Sequence, residues 1–117
     1  MNNFKDLVVW QKSIELTKKI YSATEIFPEK EKFGLTNQLR RAAVSISSNI
    51  AEGAGRDSQN EFAHFLAIAK GSSYEVETQV IIANELGYIT DEEQTEISNS
   101  INEIQKMIAG LKKSIQK

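Results

Sequence analysis

The chain has 117 residues, 40% hydrophobic and 26% charged, which is the composition of an ordinary globular protein, and we expect one domain over residues 1–117. It contains no cysteine, which excludes a disulfide framework, a thiolate metal site and a cysteine nucleophile. A formal net charge of −2 provides no general attraction to nucleic acid or to anionic membranes.

Four helical segments follow one another along the chain. The first is predicted from about Lys5 to Ile26, and it ends before Pro28 because proline disfavours the helical conformation in the residue that precedes it. The second is predicted from Leu35 to Glu52, and the glycines of Gly53-Ala54-Gly55 are expected to end it in the left-handed conformation.

Capping signals mark the start of the other two helices. Ser58 and Glu61 have the spacing of a capping box at the start of a third helix, predicted from Gln59 to about Leu86 and closed by Gly87. Thr90 and Glu93 repeat the pattern before a fourth helix that extends to about Ile115. No segment shows sustained strand alternation, so the sequence predicts an all-α protein.

The apolar residues have the spacing of helices that pack in a bundle. In the fourth helix they recur in steps of three and four as a narrow stripe: Ile97, Ile101, Ile104, Ile108, Leu111 and Ile115. Because short connections make neighbouring helices antiparallel, we predict an antiparallel up-down-up-down four-helix bundle.

Two helices carry more apolar surface than one core stripe requires. The first helix has a second stripe, and the third has Tyr74 and Ile81 one heptad apart and opposite its core stripe. One interpretation is scattered surface hydrophobics, which are common. The other, which we favour, is the interface of a homo-oligomer. Its candidate residues are Val9, Trp10, Tyr74 and Ile81.

Three arginines are candidates for contact with nucleic acid, namely Arg40, Arg41 and Arg56, because arginine binds phosphate in a bidentate manner. The alternative, which we favour, is pairing within the protein. In that interpretation Arg41 is half-buried and forms an ion pair with a carboxylate of the third helix, Glu75 in preference to Glu77, and Arg40 is the more exposed of the two arginines.

A polar cluster, Ser45, Asn49 and Glu52, lies on the second helix. It could bind a small ligand or serve catalysis, but we favour a polar layer that fixes the register of the helices. Glu61 and His64 have the Glu-x-x-His spacing of di-metal bundles, which need two such pairs. With one histidine, a single protomer cannot build that site. We predict no metal site, no cofactor and no catalytic residue.

Several segments resemble the four-helix-bundle family of 23S rRNA-intervening-sequence proteins. The residues that carry the resemblance lie in Phe4–Gln11 (FKDLVVWQ), Phe33–Ile46 (FGLTNQLRRAAVSI), Asn49–Gly53 (NIAEG) and Gly87–Ile89 (GYI). The similarity covers about Phe4 to Ile89, and the fourth helix agrees in pattern only.

The resemblance implies an antiparallel four-helix bundle that assembles into a homopentamer, without an established enzymatic activity or an agreed cellular role. A similar fold serves as the nucleic-acid-binding accessory protein of diversity-generating retroelements. The function predicted is therefore a non-enzymatic interaction scaffold. The alternatives are an RNA- or DNA-binding accessory protein, related to ribosomal RNA or to retroelements, and a small-ligand binder.

The sequence also gives an expectation for cellular location. It has no run of about 18 apolar residues, and residues 1–6 lack the basic and apolar regions of a signal peptide. We therefore expect a cytoplasmic protein that does not contact membrane.

Overall fold

A computed structural model of the protein describes residues 3–116. Within this range the chain forms four α-helices and no strand. Two short 3-10 turns, at Phe4–Asp6 and Glu29–Glu31, come before the first and second helices. The helices are α1 (Val8–Thr24), α2 (Leu35–Ala54), α3 (Gln59–Glu85) and α4 (Asp91–Ile115).

Each helix packs against two others in the order expected for an up-down bundle. The helix α2 lies between α1 and α3, and α4 closes the bundle by packing against both α3 and α1. In the described part of the chain, no Cα atom of α1 comes within 8 Å of α3, and none of α2 comes within 8 Å of α4. These two pairs therefore lie on the diagonals, and the predicted all-α bundle is confirmed.

The core agrees with the helical stripes read from the sequence. In the stripe predicted for α4, Ile97, Ile101, Ile104 and Ile108 are buried, whereas Leu111 and Ile115 at its C-terminal end are half-buried. In α1 the core residues are Val9, Leu16 and Ile20. Val9 is 4% exposed, so its proposal as an interface residue is corrected: its side chain already packs inside the protomer. In the other stripe, Leu7, Trp10 and Ile14 are half-buried and Tyr21 is exposed.

The capping boxes predicted for α3 and α4 are confirmed in part. Thr90 and Glu93 form the full capping box: the Thr90 N–H donates to Glu93 Oε1 at 2.9 Å, and the Glu93 N–H donates to Thr90 Oγ at 3.0 Å. Ser58 Oγ accepts from the Glu61 N–H at 3.2 Å. The Glu61 carboxylate pairs with Arg56 instead of completing the second box.

Of the predicted glycine caps, only one adopts the left-handed conformation. Gly87 has φ 79° and follows the end of α3, as expected. The prediction for Gly53 is wrong, because α2 continues through it to Ala54. A Cβ atom at Gly53 would lie 2.7 Å from Cβ of Phe65 and 3.0 Å from the ring of Phe62. Glycine is needed there because the start of α3 packs directly against the α2 backbone.

A tyrosine joins the two connections at one end of the bundle. The Tyr88 hydroxyl, between α3 and α4, donates to Glu31 Oε2 at 2.9 Å, and its ring lies 5.3 Å from the ring of Phe27. This hydrogen bond to Glu31 raises the pKa of Tyr88. The α3–α4 connection is thereby fastened to the segment that joins α1 and α2.

Candidate functional site

Arg40 lies half-buried between α1 and α2. Its Nε donates to Thr24 Oγ at 2.8 Å, and its Nη2 donates to the Tyr21 carbonyl oxygen at 3.4 Å. The guanidinium carbon also lies 4.5 Å from the centre of the Tyr21 ring, which is a cation–π geometry. Arg40 therefore fastens the N-terminal half of α2 to the end of α1.

Arg41 is the more exposed of the two arginines, so the predicted order of exposure is wrong. Within residues 3–116 no carboxylate lies within 4.0 Å of it, and the expected ion pair with Glu75 does not form, although both residues line one groove between α2 and α3. The reason is rotation about α2. Position 40 faces Tyr21 and Thr24, while position 41, about 100° further round, points toward solvent.

Arg56 is held by two carboxylates near the start of α3. Its Nη2 is 2.8 Å from Glu52 Oε2, and its Nη1 is 3.5 Å from Glu61 Oε1. Its guanidinium carbon also lies 5.0 Å from the centre of the Phe65 ring. About 20 Å of helix separates Arg41 from the end of α2, so the three arginines do not form one basic patch.

The polar cluster of α2 joins this helix to α3. Asn49 Nδ2 donates to the Ser45 carbonyl oxygen at 2.8 Å and to Ser45 Oγ at 3.0 Å. The Ser45 hydroxyl is in turn 2.8 Å from the Ser72 hydroxyl of α3. Glu52 is not part of this network, because its carboxylate binds Arg56. The contacts are those of a polar layer between two helices.

Ser72 is the member of this cluster that the sequence analysis missed. Its signal was the run Gly71-Ser72-Ser73 inside an apolar helix, where small side chains allow a neighbouring helix to approach closely. The histidine takes no part, since His64 is exposed and its ring lies 5.6 Å from the ring of Phe65. Glu61, the other residue of the Glu-x-x-His spacing, forms an ion pair with Arg56.

Large apolar side chains remain on the outside of the bundle. Tyr74 is 50% and Ile81 is 45% exposed on α3, as expected for interface candidates. Trp10 is half-buried and packs edge-on against Phe4, with 5.2 Å between ring centres. The structure adds exposed residues that the sequence analysis did not select: Tyr21, Val44, Ile68, Ile82 and, on the connection before α2, Phe33.

The two adjacent arginines should respond differently to truncation. Arg40→Ala removes two hydrogen bonds and the contact with Tyr21, and we expect the free energy of unfolding to fall by about 1–2 kcal/mol. Arg41→Ala is the matched control and should change it by less than about 0.5 kcal/mol. Urea denaturation of both variants tests this, and a larger loss from Arg41→Ala would contradict the assignment.

Comparison with known proteins agrees with this geometry. The sequence profile described as "23S rRNA-intervening sequence protein" matches residues 5–110, which is nearly the whole chain. The chain belongs to the 23S rRNA-intervening sequence protein family. The match extends into α4, beyond Ile89, where the resemblance in sequence motifs ends.

A solved structure supports the membership. The chain is similar to a protein with unknown function from the S23 ribosomal protein family of Bacteroides thetaiotaomicron VPI-5482, with 30% sequence identity and a TM-score of 0.81. The alignment covers 91% of this chain and 99% of that chain. No curated protein matches the sequence. Membership in the 23S rRNA-intervening sequence protein family therefore brings a fold but no established activity.

Proposed function

We propose that this chain is a non-enzymatic scaffold that assembles into a homo-oligomer. The observation that carries the proposal is the set of large apolar side chains left exposed around a bundle whose core is already filled. On α3 these include Tyr74, Ile81 and Ile82, each between 40% and 50% exposed. Several large apolar side chains exposed on one helix are typical of a surface that binds another protein.

The polar residues with possible chemical roles support a structural assignment. Ser45 and Asn49 bind each other and Ser72, and Glu52 binds Arg56. Two of the three arginines proposed for nucleic-acid contact, Arg40 and Arg56, are engaged within the protomer. The RNA- or DNA-binding role and the small-ligand role stay predictions that no contact in the described residues favours.

The size and the location of the assembly stay predictions as well. The resemblance to the family implies five subunits, and the sequence leads us to expect the cytoplasm. The observation that bears on the membrane is that none of the described helices has both the length and the apolar character needed to cross one.

Light scattering coupled to size-exclusion chromatography tests the proposal. At micromolar concentration the measured mass should be at least twice the monomer mass of 13.1 kDa, and five times that mass for a homopentamer. The measurement is best made over a tenfold dilution series, because a weak complex loses mass on dilution. A mass of 13.1 kDa at every concentration would contradict self-assembly.

A further inference from the structure

We infer that the contact between copies is head-to-tail: the outer stripe of α3 in one copy packs into the groove between α1 and α2 of the next. The inference rests on the proposed self-assembly and identifies its surfaces. The outer stripe consists of six exposed residues: Ala67, Gly71, Tyr74, Thr78, Ile81 and Glu85. The α1–α2 groove is lined by Tyr21, Asn37, Arg40, Arg41, Val44 and Ser45.

The outer stripe has the spacing of a helix that packs against another helix. Its members follow one another in steps of four and three, which is the repeat of a helix–helix seam. The inner residues of α3, such as Val76 and Val80, are fully buried in the bundle. The helix therefore has one stripe for the protomer core and a second, exposed one.

The two surfaces lie on different sides of the protomer. α1 and α3 are on a diagonal of the bundle. Tyr74 of the outer stripe lies beside α4, where it shares a groove with Asn102 and Gln105. Tyr21 and Val44 lie between α1 and α2. Two different surfaces that bind each other make a heterologous contact, which closes into a ring when the rotation between copies allows it.

Charge favours this pairing over contact of α3 with itself. The one charged residue of the outer stripe is Glu85. The residues that line the α1–α2 groove include two arginines, Arg40 and Arg41, and no carboxylate. A twofold contact between outer stripes would bring together two surfaces whose only charge is negative, whereas the head-to-tail contact joins a negative stripe to a positive groove.

Gly71 leaves room for a close neighbour in the middle of the outer stripe. A Cβ atom at this position would meet nothing within 4 Å, so the protomer itself does not require glycine there. A helix interior normally disfavours glycine. Gly110 of α4 is equally open, but Gly71 differs from it in lying within the outer stripe, between Ala67 and Tyr74, where a residue without a side chain lets a second copy approach closely.

Two double variants separate the surfaces. Tyr74→Lys with Ile81→Lys makes the outer stripe basic, and Arg41→Glu with Val44→Glu makes the α1–α2 groove acidic. All four positions are exposed, so the fold should be retained, which circular dichroism checks. Lys113→Glu, an exposed change near the end of α4, is the control and should assemble like the wild type.

Each double variant alone should have the monomer mass of 13.1 kDa, because its altered surface meets a like charge on the next copy. An equimolar mixture should form complexes of at least twice that mass, since the intact outer stripe of one variant meets the intact groove of the other. A mixture that stays monomeric, or a double variant that assembles alone, would overturn the head-to-tail assignment. A monomeric wild type would overturn the proposed scaffold function itself.

Gly71→Gln tests the same contact without a change of charge. Its side chain points into open space in the protomer, so the helical content and thermal midpoint of the monomer should be retained. We expect assembly to be lost or weakened at least tenfold in the dilution series. Unchanged assembly would show that α3 does not meet a second copy at Gly71 and would overturn the inference.

Discussion

Replacing Ile104 with alanine should lower the free energy of unfolding by about 2–5 kcal/mol. The residue is 1% exposed and lies in the middle of the buried stripe of α4. The loss combines the burial of the missing methyl and methylene groups with the cavity that they leave, which a packed bundle fills only in part. Urea denaturation should show a lower midpoint with an unchanged slope.

Ile115 provides a matched control for this substitution. It belongs to the same stripe and involves the same side chain, but it is the last residue of α4 and is only half-buried. Ile115→Ala should therefore cost less than about 1 kcal/mol. All variants are compared at one protein concentration, because assembly adds to apparent stability. Equal effects at the two positions would show that α4 does not pack as described.

Gly53→Ala should destabilise the protein although alanine is the better helix former. The new methyl group would lie 2.7 Å from Cβ of Phe65, an atom next to the α3 backbone that cannot move away without shifting the helix. Such overpacking costs about 1–3 kcal/mol, against a gain of about 1 kcal/mol from helix propensity. We expect a net loss of up to about 2 kcal/mol in thermal or urea unfolding.

Gly110→Ala is the opposite case within α4. A Cβ atom there meets nothing within 4 Å, and the residue has no positive φ, so the substitution should raise stability by about 0.4–1 kcal/mol. The sign of the difference between the two variants is the test. If Gly53→Ala stabilised the protein as much as Gly110→Ala, the close contact between α2 and the start of α3 would be disproved.

Arg40 and Arg41 show which side-chain contacts could not be predicted from the sequence. Adjacent positions of one helix differ by about 100°, and the sequence does not state which of them faces a neighbour. The predicted ion pair placed Arg41 toward Glu75 and left Arg40 exposed. In the fold, Arg40 binds Thr24 and Tyr21 of α1, because packing α1 beside α2 brings the end of α1 next to position 40.

The local sequence determined the four helices, the cap at Thr90, the turn at Gly87 and the buried isoleucines of α4. These features depend on the spacing of apolar residues and on hydrogen bonds between residues a few positions apart. Contacts between helices decided the rest. The rotation and separation of helices that are distant in sequence decide three features: the burial of Val9, the close contact between Gly53 and Phe65, and the partner that Arg40 binds. The rotation and separation of the helices are set by the packing of all four apolar faces into one core, so they cannot be predicted from any local sequence pattern.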